Sequence, residues 1–460
     1  MAHDLRLVDG PAEPTVPITP LAAAELAPWL ARHPERGAWV GTVGFTAQAG
    51  TSCLVPAVDG RLERVLLGIG ADERWDWAGL PADLPPGLYR IEANLRRSQA
   101  ENAVFGWAMG TYRFDRYRRR PEADARLIWP QSVRRAVVER VVEATFLVRD
   151  LINTPASDMG PEELADAVRG LSRRGGGSCR VITANALLRE NYPAIHAVGR
   201  ASSSPPRLAD LSWGDPGAPK VTLVGKGVCF DTGGLDLKPS AAMKLMKKDM
   251  GGAALVIGLA QMIISAGLPV RLRLLVPAVE NSVSGSSMRP LDVVQTRKGL
   301  TVEIGNTDAE GRVILADALA EAAAEDPSLL VDCATLTGAA RAALGTELPA
   351  LFTDDDGLAD ALLGEAGAAG DPLWRLPLWR PYRRLLDGKV ADLTNAPDSP
   401  YAGAILAALF LAEFAAPVRA WAHIDTMAWN TESRPGRPEG GEAMGLRALY
   451  GLIERRFGGG

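Results

Sequence analysis

Residues Lys220 to Val279 read KVTLVGKGVCFDTGGLDLKPSAAMKLMKKDMGGAALVIGLAQMIISAGLPVRLRLLVPAV, and their pattern decides the fold class. A short apolar run, KVTLVG, leads into a charged, glycine-rich loop. Next come a helix, GGAALVIGLAQMIISAG, and a second apolar run, VRLRLLVPAV. Continuous apolar runs separated by a helix describe buried strands joined by a crossover. The alternation continues downstream. A hairpin is expected in DVVQTRKGLTVEI (Asp292 to Ile304), turning at Lys298-Gly299, followed by a helix from Val313 to about Glu325. After these come a strand LLVDCATL, a helix opening at TGAARAALG, an apolar helix over Gly403 to Ala416 and a strand RAWAHID. This order implies an α/β domain whose mixed, largely parallel sheet is sandwiched by helices, with ligands gathering beyond the carboxyl ends of the strands.

Upstream the pattern is less regular. GAWVGTVGF (Gly37 to Phe45) and RVLLGIG (Arg64 to Gly70) read as short strands among turns such as LPADLPPG. The stretch SVRRAVVERVVEATFLVRDLIN, from Ser132, repeats apolar residues at helical spacing, and Pro155 stops it. The expected organisation is a smaller N-terminal α/β domain over residues 1–131, a linking helix over 132–155, and a larger C-terminal α/β domain over 156–460.

Composition narrows the function classes. The 460 residues are 47% hydrophobic and 23% charged, which suits a globular protein with a sizeable core. A net charge of -5 offers no surface built to neutralise nucleic-acid phosphates, and the basic run Tyr117 to Arg120 reads as a solvated segment. The start, MAHDLRLVDGPAEP, lacks the basic flank and apolar stretch of a signal peptide, so a cytoplasmic location is expected. The apolar segments Ala253 to Ile264 and Gly403 to Ala416 fall short of the roughly 20 residues that span a bilayer, so they read as buried helices. Cys53, Cys179, Cys229 and Cys333 form no C-x-x-C pair and read as free thiols. Only four histidines exist and none are close in sequence, so any catalytic metal must rely on carboxylates.

The acids that could do so cluster in two stretches. In NTDAEGR (Asn306 to Arg312), Asp308 and Glu310 are two residues apart, and in extended or looped backbone such residues point the same way. Converging carboxylates need a metal or a basic residue between them. The loop after KVTLVG supplies Lys226, Asp231, Lys238 and Asp249. Its glycines do not fit either phosphate-cradling pattern, G-x-x-x-x-G-K-[ST] or G-x-G-x-x-G. With Arg312, the two stretches bring four acids and three bases, a set suited to hydrolysis with two cations roughly 3.5 to 4 Å apart. Taken singly, each residue fits a surface ion pair equally well. His423, inside the apolar RAWAHID, reads as a hydrogen-bonded structural histidine, and Lys247 and Lys248 read as solvated neighbours of Asp249.

With these residues assembled, the sequence resembles the leucyl aminopeptidase family of two-metal exopeptidases. NTDAEGR is that family's signature. VGKGVCFDTGG, KP, MKKDMGGAA, ENSVSGSSMRPLD, DCATLTGA, WRLPL and WAHID also occur in the family's order. The match runs roughly from Arg149 to Leu449, and MGTYRFDRY (Met109 to Tyr117) is similar to the segment before the catalytic domain.

The resemblance implies removal of N-terminal residues from peptides, with leucine-like or broad preference. It implies a first, more exchangeable metal on Asp308, Asp231 and Glu310. The second would lie on Lys226, Asp231, Asp249 and Glu310, with Lys226 as a neutral amine. The cations would be Mn²⁺ or Zn²⁺. Lys238 would orient the carbonyl and stabilise the oxyanion, and Arg312 would hold a bicarbonate ion. Met246, Asn306, Ala309, Thr335 and Gly338 would surround the first substrate residue. A homohexamer is implied, with no membrane or nucleic-acid partner. The sequence departs from the family at Cys229, Asp236, DTMAW (Asp425 to Trp429) and GGEAMGLR (Gly440 to Arg447), the last two beside the substrate pocket in relatives. Other two-metal amide hydrolases or phosphoesterases, and an inactive scaffold relative, are the competing readings. A phosphoesterase wants more cationic or histidine contacts, and a scaffold has no need of Lys238 and Arg312.

Overall fold

The computed structural model describes residues 3–10, 14–118 and 124–459. Arg119 and Arg120 of the basic run lie outside the described residues. The chain forms two compact units, Met1–Phe146 with Glu432–Glu439, and Leu147–Thr431 with Gly440–Gly460. The helix Arg135–Asn153 runs from one into the other.

In the first unit, six strands pair in the order Leu7–Val8, Ala125–Ile128, Gly87–Ile91, Thr15–Leu21, Leu62–Gly68 and Ser52–Pro56, with only the last pair antiparallel. The strand at RVLLGIG is present; the one expected at Gly37 to Phe45 is not. Pro34–Thr42 is a helix instead. Pro34 sits at its start, where a missing N–H costs nothing, and only Val40 is buried, so the run lacks a strand's sheet-facing burial.

The second unit is built on a nine-stranded sheet. Trp421–Asp425, Leu329–Ala334, Lys220–Gly225 and Arg271–Asn281 run parallel through its middle, and Gly227–Asp231 adds a parallel pairing to Arg271–Asn281. Ala350–Phe352, Arg207–Trp213 and Ser178–Thr183 pair antiparallel toward the edges. Lys220–Gly225 is buried from its second residue onward, as a strand covered on both faces must be. Helices Gly251–Ala266, Pro161–Gly175 and Leu446–Phe457 pack together as one layer; Glu310–Ala323, Pro193–Gly199 and Gly403–Ala415 form another. The helical run Met246–Ala266 reaches 21 residues and is long and apolar enough to cross a bilayer, yet most of it is buried in this unit.

The hairpin pairs Val293–Gln295 with Thr301–Glu303, and Gly299 takes the positive φ of +88° that its turn requires. One boundary matters for chemistry. The helix expected from Val313 begins at Glu310. Asp308 therefore lies in a turn and Glu310 in the first helical turn, so the two carboxylates converge through a change of backbone direction rather than through strand alternation.

Candidate active site

Four segments that build the cleft leave or end strands at the same edge of the nine-stranded sheet. Lys226 follows Lys220–Gly225, Asp231 ends Gly227–Asp231, Thr335 follows Leu329–Ala334, and Asp425 ends Trp421–Asp425. The short helix Met246–Met250 carries Asp249, and NTDAEGR closes the ring from the opposite loop. The cleft has a volume of about 320 Å³. Lys226, Asp231, Lys238, Asp249, Asp308 and Arg312 line it, as do Met246, Asn306, Ala309, Thr335 and Gly338. Glu310 lies just behind, 1% exposed, with Oε1 2.9 Å from Lys226 Nζ. The structure thus brings every site residue expected from the sequence to one place.

Asp231, Asp249 and Glu310 are deeply buried, Asp308 is half-buried, and all four are tightly held. Asp231 Oδ1 accepts from the Gly233 N–H and from Asn281 Nδ2, each at 2.8 Å, and Lys238 Nζ is 2.9 Å from its Oδ2. Lys238 Nζ also stands 2.5 Å from Asp308 Oδ1. Thr335 Oγ1 donates to Asp249 Oδ1 at 2.7 Å, and Lys226 Nζ is 2.7 Å from Asp249 Oδ2. Close approach here needs glycine. A Cβ on Gly311 would stand 2.4 Å from Lys226 Cε, and one on Gly233, whose φ is +89°, would stand 2.5 Å from the Asp236 carbonyl.

Two observations bear on metal binding. Asp231, Asp308 and Glu310 each offer an oxygen within 4.8 Å of the others. Among the described residues, buried Asp249 Oδ2, Asp308 Oδ1 and Glu310 Oε1 accept no aligned hydrogen bond, although lysine nitrogens lie within ion-pair distance of all three. Proximity without alignment balances the charge and leaves lone pairs free. Carboxylates so arranged fit divalent cations bound through oxygen and an amine.

The electrostatics match. Burial, and after it the Asp249 carboxylate, push Asp231 up to about 6 despite Lys226 and Lys238. Burial and the Asp231 charge hold Glu310 well above the usual carboxylate range. Burial favours a neutral Lys226, but Asp249, Glu310 and Asp231 outweigh it and raise its pKa, so the lysine is a cation until something positive replaces its charge. Arg312, 8% exposed, donates Nη1 to the Asn395 carbonyl at 2.5 Å and leaves Nε without a partner among the described residues. Burial lowers its pKa to about 10, with Glu310 and Asp425 opposing the shift.

Several residues that the sequence reading passed over hold the site together. Asn395 Nδ2 donates to the carbonyls of Asn306 and Ala309, while its Oδ1 accepts from the Gly305 and Asn306 N–H groups. Asn281 Nδ2 links Asp231 to the Thr307 carbonyl. Asp236, a departure from the family pattern, is engaged by the NTDAEGR loop. Its Oδ2 accepts from Thr307 N at 2.7 Å and fastens one loop to the other. Glu442, in the departing GGEAMGLR, makes a bidentate pair with buried Arg149 at 3.1 and 2.8 Å. No spacing rule could find these partners, which are tens to hundreds of residues apart. His423 Nδ1 lies 2.6 Å from Asp332 Oδ1, and Trp421 Nε1 donates to the other carboxylate oxygen at 2.7 Å.

The reading of Lys247 and Lys248 as solvated is corrected. Lys247 is half-buried, donates to the Asn153 carbonyl at 2.6 Å and lies 5.5 Å from the Trp429 ring centre. Lys248 is 4% exposed and lines the cleft. The short helix that aims Asp249 into the site turns the neighbouring lysine inward too.

Comparison with known proteins agrees with this geometry. The family model for the catalytic domain of the cytosol aminopeptidase family matches residues 146–450, and that for the M17 aminopeptidase N-terminal domain matches 16–130. A probable cytosol aminopeptidase of Syntrophotalea carbinolica is 38% identical over 93% of this chain and 91% of its own. The crystal structure of the cytosol aminopeptidase from Coxiella burnetii superposes with a TM-score of 0.95 at 51% identity, covering 98% of this chain and 99% of that one. The bottromycin maturation enzyme BotP in complex with Mn gives a TM-score of 0.87 at 37% identity over 96% and 99%. The chain belongs to the cytosol aminopeptidase family, M17, and is a metallo-aminopeptidase, a hydrolase of N-terminal peptide bonds.

Proposed function

We propose that this aminopeptidase works with two divalent cations, one on Asp308, Asp231 and Glu310 and the other on Lys226, Asp231, Asp249 and Glu310. The convergence of Asp231, Asp308 and Glu310, with buried lone pairs left free beside two lysines, carries this reading. Bound there, the cations would lower the pKa of a water, polarise the scissile carbonyl and take up the neutral α-amine. The manganese complex of BotP supports Mn²⁺, and the amine and carboxylate donors also suit Zn²⁺.

The chain's own groups do the rest. Lys238, steadied by Asp231 and Asp308, remains an ammonium and donates to the substrate carbonyl as it becomes an oxyanion. Arg312, whose Nε has no hydrogen-bond partner among the described residues, would hold a bicarbonate ion, and that ion would supply a general base. Met246, Asn306, Ala309, Thr335 and Gly338 surround the first substrate side chain. Their fixed frame positions only the first peptide bond for attack.

The names of its relatives support a cytoplasmic location, and the family resemblance supports a homohexamer, a state that sedimentation equilibrium measures directly. We also read the chain as an N-terminal α/β domain over 1–131, a linking helix over 132–155 and a catalytic domain over 156–460.

The decisive experiment strips the protein of metal, refills it with Mn²⁺ or Zn²⁺, and follows release of p-nitroaniline from aminoacyl anilides beside Asp308→Ala treated identically. Metal-dependent release by the wild type alone is expected. Equal release by the variant removes the assignment of Asp308.

A further inference from the structure

The cleft holds a cation that the chemistry above leaves unused. Lys248 is 4% exposed and lines the cleft, and its Nζ makes no hydrogen bond or ion pair among the described residues. A buried ammonium that makes no hydrogen bond or ion pair is costly.

Neighbouring anions are already engaged. Asp249 is taken by Lys226 and Thr335. Asp425 accepts from Leu336 N at 3.0 Å, Thr337 N at 3.3 Å and Thr337 Oγ1 at 2.6 Å. A second cation shares this lining. Arg341 rests Nη1 on Met427 Sδ at 3.5 Å and contacts no carboxylate among the described residues. Lys248 lies two residues beyond Met246 and Arg341 three beyond Gly338, and both of those residues belong to the frame assigned above to the first substrate side chain.

We propose that Lys248, assisted by Arg341, receives a substrate carboxylate, that of a glutamate or aspartate at the peptide's first position, and gives this aminopeptidase a preference for acidic N-terminal residues. The inference rests on the reading of the cleft under Proposed function. A leucine side chain buries the ammonium further and leaves it unpaired, whereas a carboxylate completes a charge-assisted hydrogen bond in a water-poor site. Met427, in the departing DTMAW, lines the cleft, and an unbranched Met side chain accommodates a longer polar chain without a fixed shape.

The test compares kcat/KM for glutamyl, glutaminyl and leucyl p-nitroanilides, using manganese-loaded wild type and Lys248→Met. Glutamine matches glutamate in shape, so the Glu/Gln ratio isolates the charge. The ratio is expected to be about tenfold or more in the wild type, the scale of one charge-assisted hydrogen bond, and to fall to about one or below in Lys248→Met. A folding or metal-loading defect lowers both rates together and leaves the ratio unmoved. Leucyl-alanine and leucyl-alaninamide form a second arm. If Lys248→Met changes the preference between those two instead, the carboxylate recognised is the downstream one and the proposal is overturned. A wild-type ratio near one, or a ratio unchanged in the variant, overturns it too while leucyl cleavage keeps the aminopeptidase reading. No cleavage of any substrate by metal-loaded wild type removes both.

Discussion

Gly311→Ala puts two opposing effects in direct competition. Gly311 is the second residue of the helix Glu310–Ala323, where alanine is the better helix former by up to about 1 kcal/mol. If the helix alone mattered, the variant would be more stable. The added Cβ, however, stands 2.4 Å from Lys226 Cε and 2.6 Å from Nζ. Restoring even a 3.4 Å contact pushes Cε back by about 1 Å. The lysine has nowhere to go, being 3% exposed and pinned by Asp249 at 2.7 Å, Glu310 at 2.9 Å and the Thr335 carbonyl at 3.2 Å. Overpacking of this kind costs about 1 to 3 kcal/mol, which exceeds the helix gain. The loss falls mainly on cation binding, because Lys226 leaves the position from which it would ligate. The expected outcome is a purified variant with metal content reduced at one of two positions and kcat/KM down about 10- to 100-fold, the equivalent of roughly 1.4 to 2.8 kcal/mol. Inductively coupled plasma mass spectrometry and anilide hydrolysis provide the readout. Wild-type metal content together with a raised melting temperature would refute the reasoning, since Lys226 would then have moved without consequence.

Two further outcomes follow from the site's charges. Cation affinity should rise with pH, because the carboxyl of Asp231, held at about 6, must be ionised and Lys226 must lose a proton to ligate. Each proton released gives about a tenfold gain per pH unit, and calorimetric titration in two buffers of different ionisation enthalpy counts those protons; affinity flat from pH 5.5 to 8 would count against Lys226 as a ligand. Glu442→Ala removes the bidentate carboxylate partner of the buried Arg149 guanidinium and should cost about 3 kcal/mol by urea denaturation. Despite burial, Arg149 holds Glu442 below its usual range. Its stabilisation is therefore fully present above the ordinary carboxylate pKa and fades as pH falls through the depressed value, so wild type should lose its advantage over the variant in acid; a constant difference from pH 7 to 3 would exclude the pair as its source.

The strands and helices of the second unit were legible because burial on both faces leaves long apolar runs, and Gly299 marks its own turn. The strand misread at Gly37 to Phe45 shows the limit. Trp39, Val40 and Val43 look like strand residues, but Trp39 and Val43 are exposed and only Val40 is buried, so an apolar run proved to be a one-sided helix. Lys248 failed for the opposite reason. Charge suggested solvent, yet Lys248, Asp249 and Met250 are all buried, so their short helix is enclosed on more than one face.

By itself the sequence determined the α/β class, the set of four acids and three bases, and the family, because these depend on residue type, spacing and motif order along the chain. Tertiary structure alone decided which partners hold those residues. Asn395 bracing NTDAEGR, Asp236 fastened to Thr307, Glu442 closed on Arg149 and the unpaired Lys248 all depend on contacts between loops distant in the chain. Such contacts are set by how strands align at one edge of a sheet, and no local pattern encodes that alignment.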